Sequence, residues 1–304
     1  MTPQVTAVTQ AVSGGPARAG RWLQRVDSLN VALVALCLIV IGAIFVPILA
    51  SGDPSRIDDV LARRLVPPFG RDAHGAFHLL GTDRFGRDLF VRMMLAGRLS
   101  LLVGVVGSGF AGLAGTLAGA LAGWRGGVLD RVVMGLADLL LALPRLVLLL
   151  VGVALWSPGL TTILVVLVAT GWMGIARMIR AEVLTVRERP FVPAATALGA
   201  SPRRVLFRHV VPNAIGPALV ATTLGVGNAI LLESGLSFLG LGIQPPAPSW
   251  GNMIAGGRDL LVTAPWVALV PGIALVATVL ATSVIGDEWR DRAAGLVAPG
   301  RPRV

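Results

Sequence analysis

The chain has 304 residues, of which 55% are apolar and only 14% charged, and its mean hydropathy is +0.79. A soluble globular domain carries about 25% charged residues, so these values exclude a large soluble core and point to a polytopic membrane protein. The net charge of +10 rests entirely on arginine, since there is no lysine; those arginines sit between apolar runs rather than on one face, which argues against nucleic acid as a partner and for retention of cytoplasmic loops.

In chain order, residues 1–28 read as a cytoplasmic tail and 29–50 as the first transmembrane helix. That run of 22 residues is longer than the apolar region of a signal peptide and lacks a small-residue cleavage site, so it reads as a retained anchor. It holds Cys37, the single cysteine, which excludes an intrachain disulfide. Residues 51–98 form an external segment rich in Pro, Gly and paired charges. Its end, Asp88–Ser100, is amphipathic and reads as either an interfacial helix or the extended first turn of the next span. His74 and His78 lie four apart near Asp72 and Asp83, but Gly75 between them disfavours the helix that would align two imidazoles. A loop is expected there rather than a metal site.

Five more apolar runs complete an all-α protein with six transmembrane helices: Leu99–Gly123, Val132–Trp156, Leu160–Ala176, Ala214–Leu232 and Trp266–Gly286. They make a core over residues 99–290, followed by a cytoplasmic tail, 291–304. Sixteen of the 26 arginines fall on the side of the N-terminus, which sets the topology as N-in and C-in. In the second span, Gly115, Gly119 and Gly123 recur every four residues, as do Gly104, Ser108 and Gly112, and predict close helix packing. Asp138 and Arg145 stand seven apart in the third span. The aspartate is near the cytoplasmic edge, within reach of a loop arginine; the deeper Arg145 is a candidate pathway residue or a partner of Asp138. Glu233, at the outer end of the fifth span, is expected to bond backbone groups of the adjoining turn.

The cytoplasmic loop 177–213 carries a basic bracket. Pro190 and Pro193 are tolerated only where a helix starts, Gly199 suits a left-handed helix end, and Ser201-Pro202 supplies an N-cap and first residue for a second helix, to about Val211. Pro212 is expected to break or bend that helix. The small residues Ala194, Ala195, Gly199 and Ala200 leave room for a partner protein, while Arg203, Arg204, Arg208 and His209 are equally placed to hold anionic headgroups.

The stretch FVPAATALGASPRRVLFRHVVPNAI, residues 191–215, resembles the coupling loop of ATP-binding-cassette importer permeases. HLLGTDRFGRDLFVRMMLAGRLSLLVG, ARMIRAEVL and ESGLSFLGLGIQPPAPSWGNMI are similar to three further segments of the dipeptide, oligopeptide and nickel branch, of the second-subunit type with an extra N-terminal span. The resemblance covers residues 78 to about 290. It implies a type I importer permease fold and a translocation subunit for peptides, with nickel chelates or oligosaccharides as alternatives within the same architecture. A secondary transporter is less favoured, because neither internal repeats nor several midplane acids are present.

The resemblance further implies that Pro193, Ala194, Ala195, Gly199, Ala200, Ser201, Pro202, Arg203, His209 and Pro212 meet an ATPase. It places Glu233, Ser237, Phe238, Gly240, Gly242, Pro245, Pro246 and Trp250 at an external mouth; by residue type alone, Trp250 reads as a headgroup-level anchor. The implied partners are a second permease chain forming a heterodimer, two ATPase subunits, an external binding protein and membrane lipid. The family's glutamate is replaced by Pro193, which offers no carboxylate; Arg187, Glu188 and Arg189 are the neighbouring polar residues. Without lysine there is no phosphate-binding G-x-x-x-x-G-K-[ST] loop, so no cofactor is expected on this chain and ATP and Mg are assigned to the ATPases. No catalytic residues are assigned, and the chain reads as a subunit rather than an enzyme.

Overall fold

The computed structural model describes residues 17–50 and 60–293, with side chains described over 28–50 and 60–292. The first 16 residues, 51–59 and 294–304 lie outside the described residues, and with them the tail arginines Arg301 and Arg303; so do the side chains of Arg18, Arg21 and Arg25.

Helix α1 (Ala17–Leu49) supplies the first crossing and contains Pro47. Proline has no N–H for the carbonyl four residues earlier, so the Ala43 oxygen is released from the helix ladder. Arg98 uses it: Nε donates to Ala43 O at 2.6 Å and Nη2 to Ile44 O at 2.5 Å. A guanidinium within an apolar helix is thereby satisfied by two carbonyls, one of which, Ala43 O, the proline left open.

The external segment folds around a short helix, α2 (Val60–Arg63), and an antiparallel hairpin, β1 (Gly70–Arg71) with β2 (Phe77–His78), which the all-α expectation did not contain. Asp72 organises it. Its Oδ1 accepts the N–H groups of His74 and Ala76, both at 2.9 Å, and its Oδ2 lies 3.2 Å from Arg63 Nε. His78 is a buried strut between two carboxylates, with Nδ1 2.8 Å from Asp88 and Nε2 3.5 Å from Asp72. Burial opposes ionisation of Asp72, but the Ala76 N–H, the His78 ring, the His74 N–H and Arg63 together hold its pKa below the usual carboxylate range.

Helix α3 (Leu89–Arg125) starts directly at Asp88, whose Oδ1 caps the Val91 N–H at 3.0 Å. Leu89, Met93 and Ala96 are buried with Ile230, Trp250 and Met253. Residues 89–98 are therefore the outer end of the second crossing, not an interfacial helix, because their apolar side is covered by protein. The two small-residue stripes of α3 face different helices of this same chain. A Cβ at Gly115 would lie 2.5 Å from Trp172 O, and one at Gly119 would collide with the Ala176 backbone; both neighbours are on α6 (Leu160–Arg187). A Cβ at Gly104 would lie 2.6 Å from Ile230, and Ser108 donates to Thr222 O at 2.5 Å, both on α10 (Gly216–Phe238).

The third span, expected as one helix over Val132–Trp156, is broken. Helices α4 (Gly127–Leu141) and α5 (Arg145–Leu155) meet at 93°. Pro144 disfavours helical backbone at Leu143, so the first helix ends and a second begins. Both halves nonetheless contact α6, their residues meeting it in reverse chain order. Leu149 and Val153 share a core with Ile163 and Val166, Arg145 reaches Thr170, Asp138 pairs with Arg177 at 3.4 Å, and Asp130 pairs with Arg180 at 2.6 Å. Counted as one broken crossing, α4–α5 joins the five unbroken apolar helices to give six. The bend also takes Asp138 and Arg145 off a common helical face, which is why they do not pair.

Helix α6 continues to Arg187, so the segment 177–187 that read as loop is helix and the cytoplasmic connection begins at Glu188. The last crossing, α12 (Trp266–Ala293), extends past the Gly286 expected as its end. An even number of crossings leaves both ends of the chain on one side, and the arginine distribution assigns that side to the cytoplasm.

Candidate functional site

Three places gather the candidate residues: the cytoplasmic bracket, a cavity among the membrane helices, and the external end of α10.

In the bracket, α7 (Phe191–Ala197) leads to Gly199 at φ +85°, a backbone state that favours glycine. The Ala200 N–H reaches back to Ala195 O at 3.1 Å and the Gly199 N–H to Thr196 O at 3.0 Å, the paired bonds of a Schellman cap. Ser201 Oγ then accepts the Arg204 N–H at 3.4 Å and Pro202 opens α8 (Pro202–Val205). Pro212 does not end the helical path. A π-helical turn, Leu206–Val210, leads into α9 (Val211–Ala214), and the Val211 N–H bonds Leu206 O, five residues back. The wide turn makes room for the proline ring, and Asn213 Nδ2 supplies a donor to His209 O at 2.6 Å.

The bracket does not project freely from the membrane. Val192, Val205, Leu206 and Val210 are buried against Ile179, Val183 and Val186 of α6, fastening it to that helix's cytoplasmic end. Arg187 donates to Trp124 O at 3.2 Å and lies over the Trp124 ring. The opposite face is open: Pro193, Ala194, Arg203 and Arg204 are exposed, and Leu198 at the tip is 89% exposed. Ala195, Ala200 and His209 are half-buried. Beside Pro193 a cavity of about 440 Å³ is lined by Arg187 and Glu188, the polar neighbours of the missing carboxylate. Leu198 was absent from the sequence-based candidates; its signal was a large apolar residue directly before the cap glycine, where no core is within reach.

The membrane cavity, about 410 Å³, lies among α3, α5, α6 and α10, with Gly107, Gly171 and Gly225 opening its walls. Arg145 lines it with a single side-chain hydrogen bond, Nε to Thr170 Oγ1 at 3.4 Å, and no carboxylate within ion-pair distance among the described residues. Asn228 lines it too, exposed, with no side-chain hydrogen bond among the described residues. The sequence reading passed over Asn228, the one amide within the predicted fifth span. A cation and an amide thus share one cavity among apolar helices, where lipid would satisfy neither.

At the external end Glu233 is wholly buried. It accepts hydroxyls from Ser237 at 2.6 Å, Ser100 at 3.3 Å and Ser234 at 3.4 Å, not backbone N–H groups as expected. The backbone is reached one step further: Ile243 N donates to Ser237 Oγ at 3.1 Å and Trp250 N to Ser100 Oγ at 3.4 Å. Trp250 opens α11 (Trp250–Gly257), is 1% exposed and donates its indole N–H to Met93 O at 3.1 Å, so it is a core residue rather than a headgroup anchor. Phe238 ends α10, Gly240 takes φ +79° in the turn, Gly242 packs against Ser237, and Pro245-Pro246 lie in the connection to α11. Among the described residues no cluster of three His, Cys, Asp or Glu side chains is arranged to hold a metal ion.

Residues 115–292 match the family described as binding-protein-dependent transport system inner membrane component. The chain is 38% identical over 261 residues to the oligopeptide transport system permease protein OppC of Bacillus subtilis, spanning 86% of this chain and 83% of that protein. It is 40% identical over 260 residues to the di/tripeptide transport system permease protein DppC of Pseudomonas aeruginosa, spanning 85% of each. Its fold is similar to a chain in inward-facing structures of the MetNI methionine ABC transporter, with a TM-score of 0.54 at 20% identity over 69% of this chain and 97% of that one.

Proposed function

The chain belongs to the family of binding-protein-dependent transport system inner membrane components, and on that premise we propose that it is a peptide-translocating permease subunit of an ATP-driven importer. The observation that carries this is the bracket: a turn capped on both sides at Gly199 and Ser201, fastened to α6, with an open face holding Leu198, Pro193, Ala194 and two arginines. A rigid part with an unmatched face suits docking of an ATPase subunit. Because the bracket's buried side is continuous with α6, a shift imposed on it tilts α6. Through the glycine contacts α3 is then carried along, which opens or closes the Arg145 cavity.

In this reading Arg145, Asn228 and Ser108 line this chain's half of the pathway, and a second, similar permease chain faces them to complete it. The Glu233 network keeps the external mouth rigid for a binding protein that delivers the solute. Peptides are the solute class carried in the names of the relatives, oligopeptide and di/tripeptide permeases.

The test is reconstitution in liposomes. This chain alone hydrolyses no ATP and moves no solute, whereas addition of two ATPase subunits, the second permease chain and the binding protein yields ATP-dependent uptake of a labelled dipeptide. Uptake by the lone chain would overturn the assignment.

A further inference from the structure

A second cavity, about 440 Å³, opens outside the pathway between the Gly81–Asp88 loop, the Pro245-Pro246 turn and α11. Among the described residues, its basic lining is Arg84, Arg87 and Arg92 and its acidic lining Asp83. That carboxylate is fully engaged. Oδ1 accepts the Phe85 N–H at 2.8 Å and the Arg87 N–H at 3.0 Å, and Oδ2 takes Nε and Nη2 of Arg87, both at 2.7 Å. Four donors exhaust the lone pairs of a carboxylate.

Arg92 is left over. It is only 6% exposed, its Nε stands 3.9 Å from Asp83 Oδ2, beyond hydrogen-bond distance, and its Nη1 is sealed from solvent with no hydrogen-bond partner among the described residues. Burying a guanidinium with an unmatched donor is costly, and the same charge becomes a strong anion ligand once a carboxylate meets it. Arg84 and Arg87 flank the Phe85 ring at 4.8 and 4.6 Å, which holds two further cations at the rim.

From this arrangement we infer that the cavity is an external carboxylate-binding site, in which Arg92 with Arg84 at the rim captures the C-terminal carboxylate of an arriving peptide before it enters the pathway. The volume falls within the roughly 300–1,000 Å³ of small-molecule pockets, and the surplus of cations selects an anionic group. The inference rests on the peptide-permease reading for the identity of the solute, while the site itself rests on Arg92 and Asp83.

The experiment uses the complete reconstituted complex. Uptake of labelled trialanine and of trialanine amide is measured with each peptide saturating the binding protein, so that the binding protein's own preference drops out. The acid-to-amide ratio falls five- to tenfold in Arg92→Gln and about twofold in Arg84→Gln. Because Arg92 is packed, the exposed Arg84 variant is read in parallel and must show its drop even if the Arg92 variant fails to assemble. An unchanged ratio overturns the site. So does an unchanged ratio accompanied by weaker docking of the binding protein, which would assign the carboxylate to that protein instead. A wild-type complex that takes up neither peptide refutes the permease reading, whereas equal uptake of both by the wild type removes only this site.

Discussion

The external end of α10 and the cytoplasmic bracket are both built on tight backbone turns, yet they close in opposite ways. Externally, every hydroxyl around Glu233 has a partner and Trp250 is sealed beneath them. At the bracket the backbone is equally well capped, but one face is left open with Leu198 at its tip. The difference separates a part completed within the chain from a part that, in the proposed function, is the docking element for an ATPase. A satisfied buried network resists displacement, and an exposed apolar tip on a stiff support awaits a complementary surface.

The largest effect is expected where the two ends are joined. Gly119→Val places methyls into the Ala176 backbone and forces α3 away from α6, at a cost of about 3 kcal/mol or more. Loss of the chain from the assembled complex on size exclusion is the measurement, and normal assembly would break the link drawn between the ends. Glu233→Ala strands the Ser100 and Ser237 hydroxyls and opens a void, at about 2–4 kcal/mol, read as a lower melting temperature of the complex. A stable variant would show that the external network is not the closed element described.

Gly199→Val strains the left-handed position by about 1–2 kcal/mol. It leaves the membrane helices folded while ATP hydrolysis in the reconstituted complex separates from uptake, and unchanged uptake with unchanged assembly removes the docking role. Leu198→Ser moves stability by less than about 0.5 kcal/mol because the side chain is exposed, and weakens ATPase association at least tenfold in a pull-down titration. A stability loss without weaker association would make Leu198 structural.

The smallest effect concerns pH. Asp72 has a depressed pKa, so its contribution is present in full above the unfolded-state value, about 3.9, and is lost as pH falls through the lower folded-state value. The protection of residues 60–88 against hydrogen exchange, corrected for the intrinsic pH dependence of amide exchange, therefore falls below about pH 4; Asp72→Asn abolishes the step.

Much of this was legible in the chain. Apolar runs of spanning length located the crossings, and Gly199, Ser201 and Pro202 located the bracket, because caps and turns depend on residues only a few positions apart. The stripes of α3 announced close packing but not the neighbours, since spacing along one helix carries no information about its partner. Arg98, Trp250 and Glu233 were misplaced or passed over for the same reason: each is satisfied by groups distant in the chain, at Ala43, Met93 and Ser100.

What the sequence by itself determined is the class of molecule, its orientation in the membrane and the local geometry of the cytoplasmic bracket, all set by composition, charge placement and short-range backbone chemistry. Only the tertiary structure decided that α4–α5 bends at Pro144, that Arg145 and Asn228 open onto one cavity, and that Arg92 Nη1 is buried with no hydrogen-bond partner among the described residues. Those outcomes depend on which helices lie side by side, and a buried charge is matched or stranded only when long-range packing has been fixed.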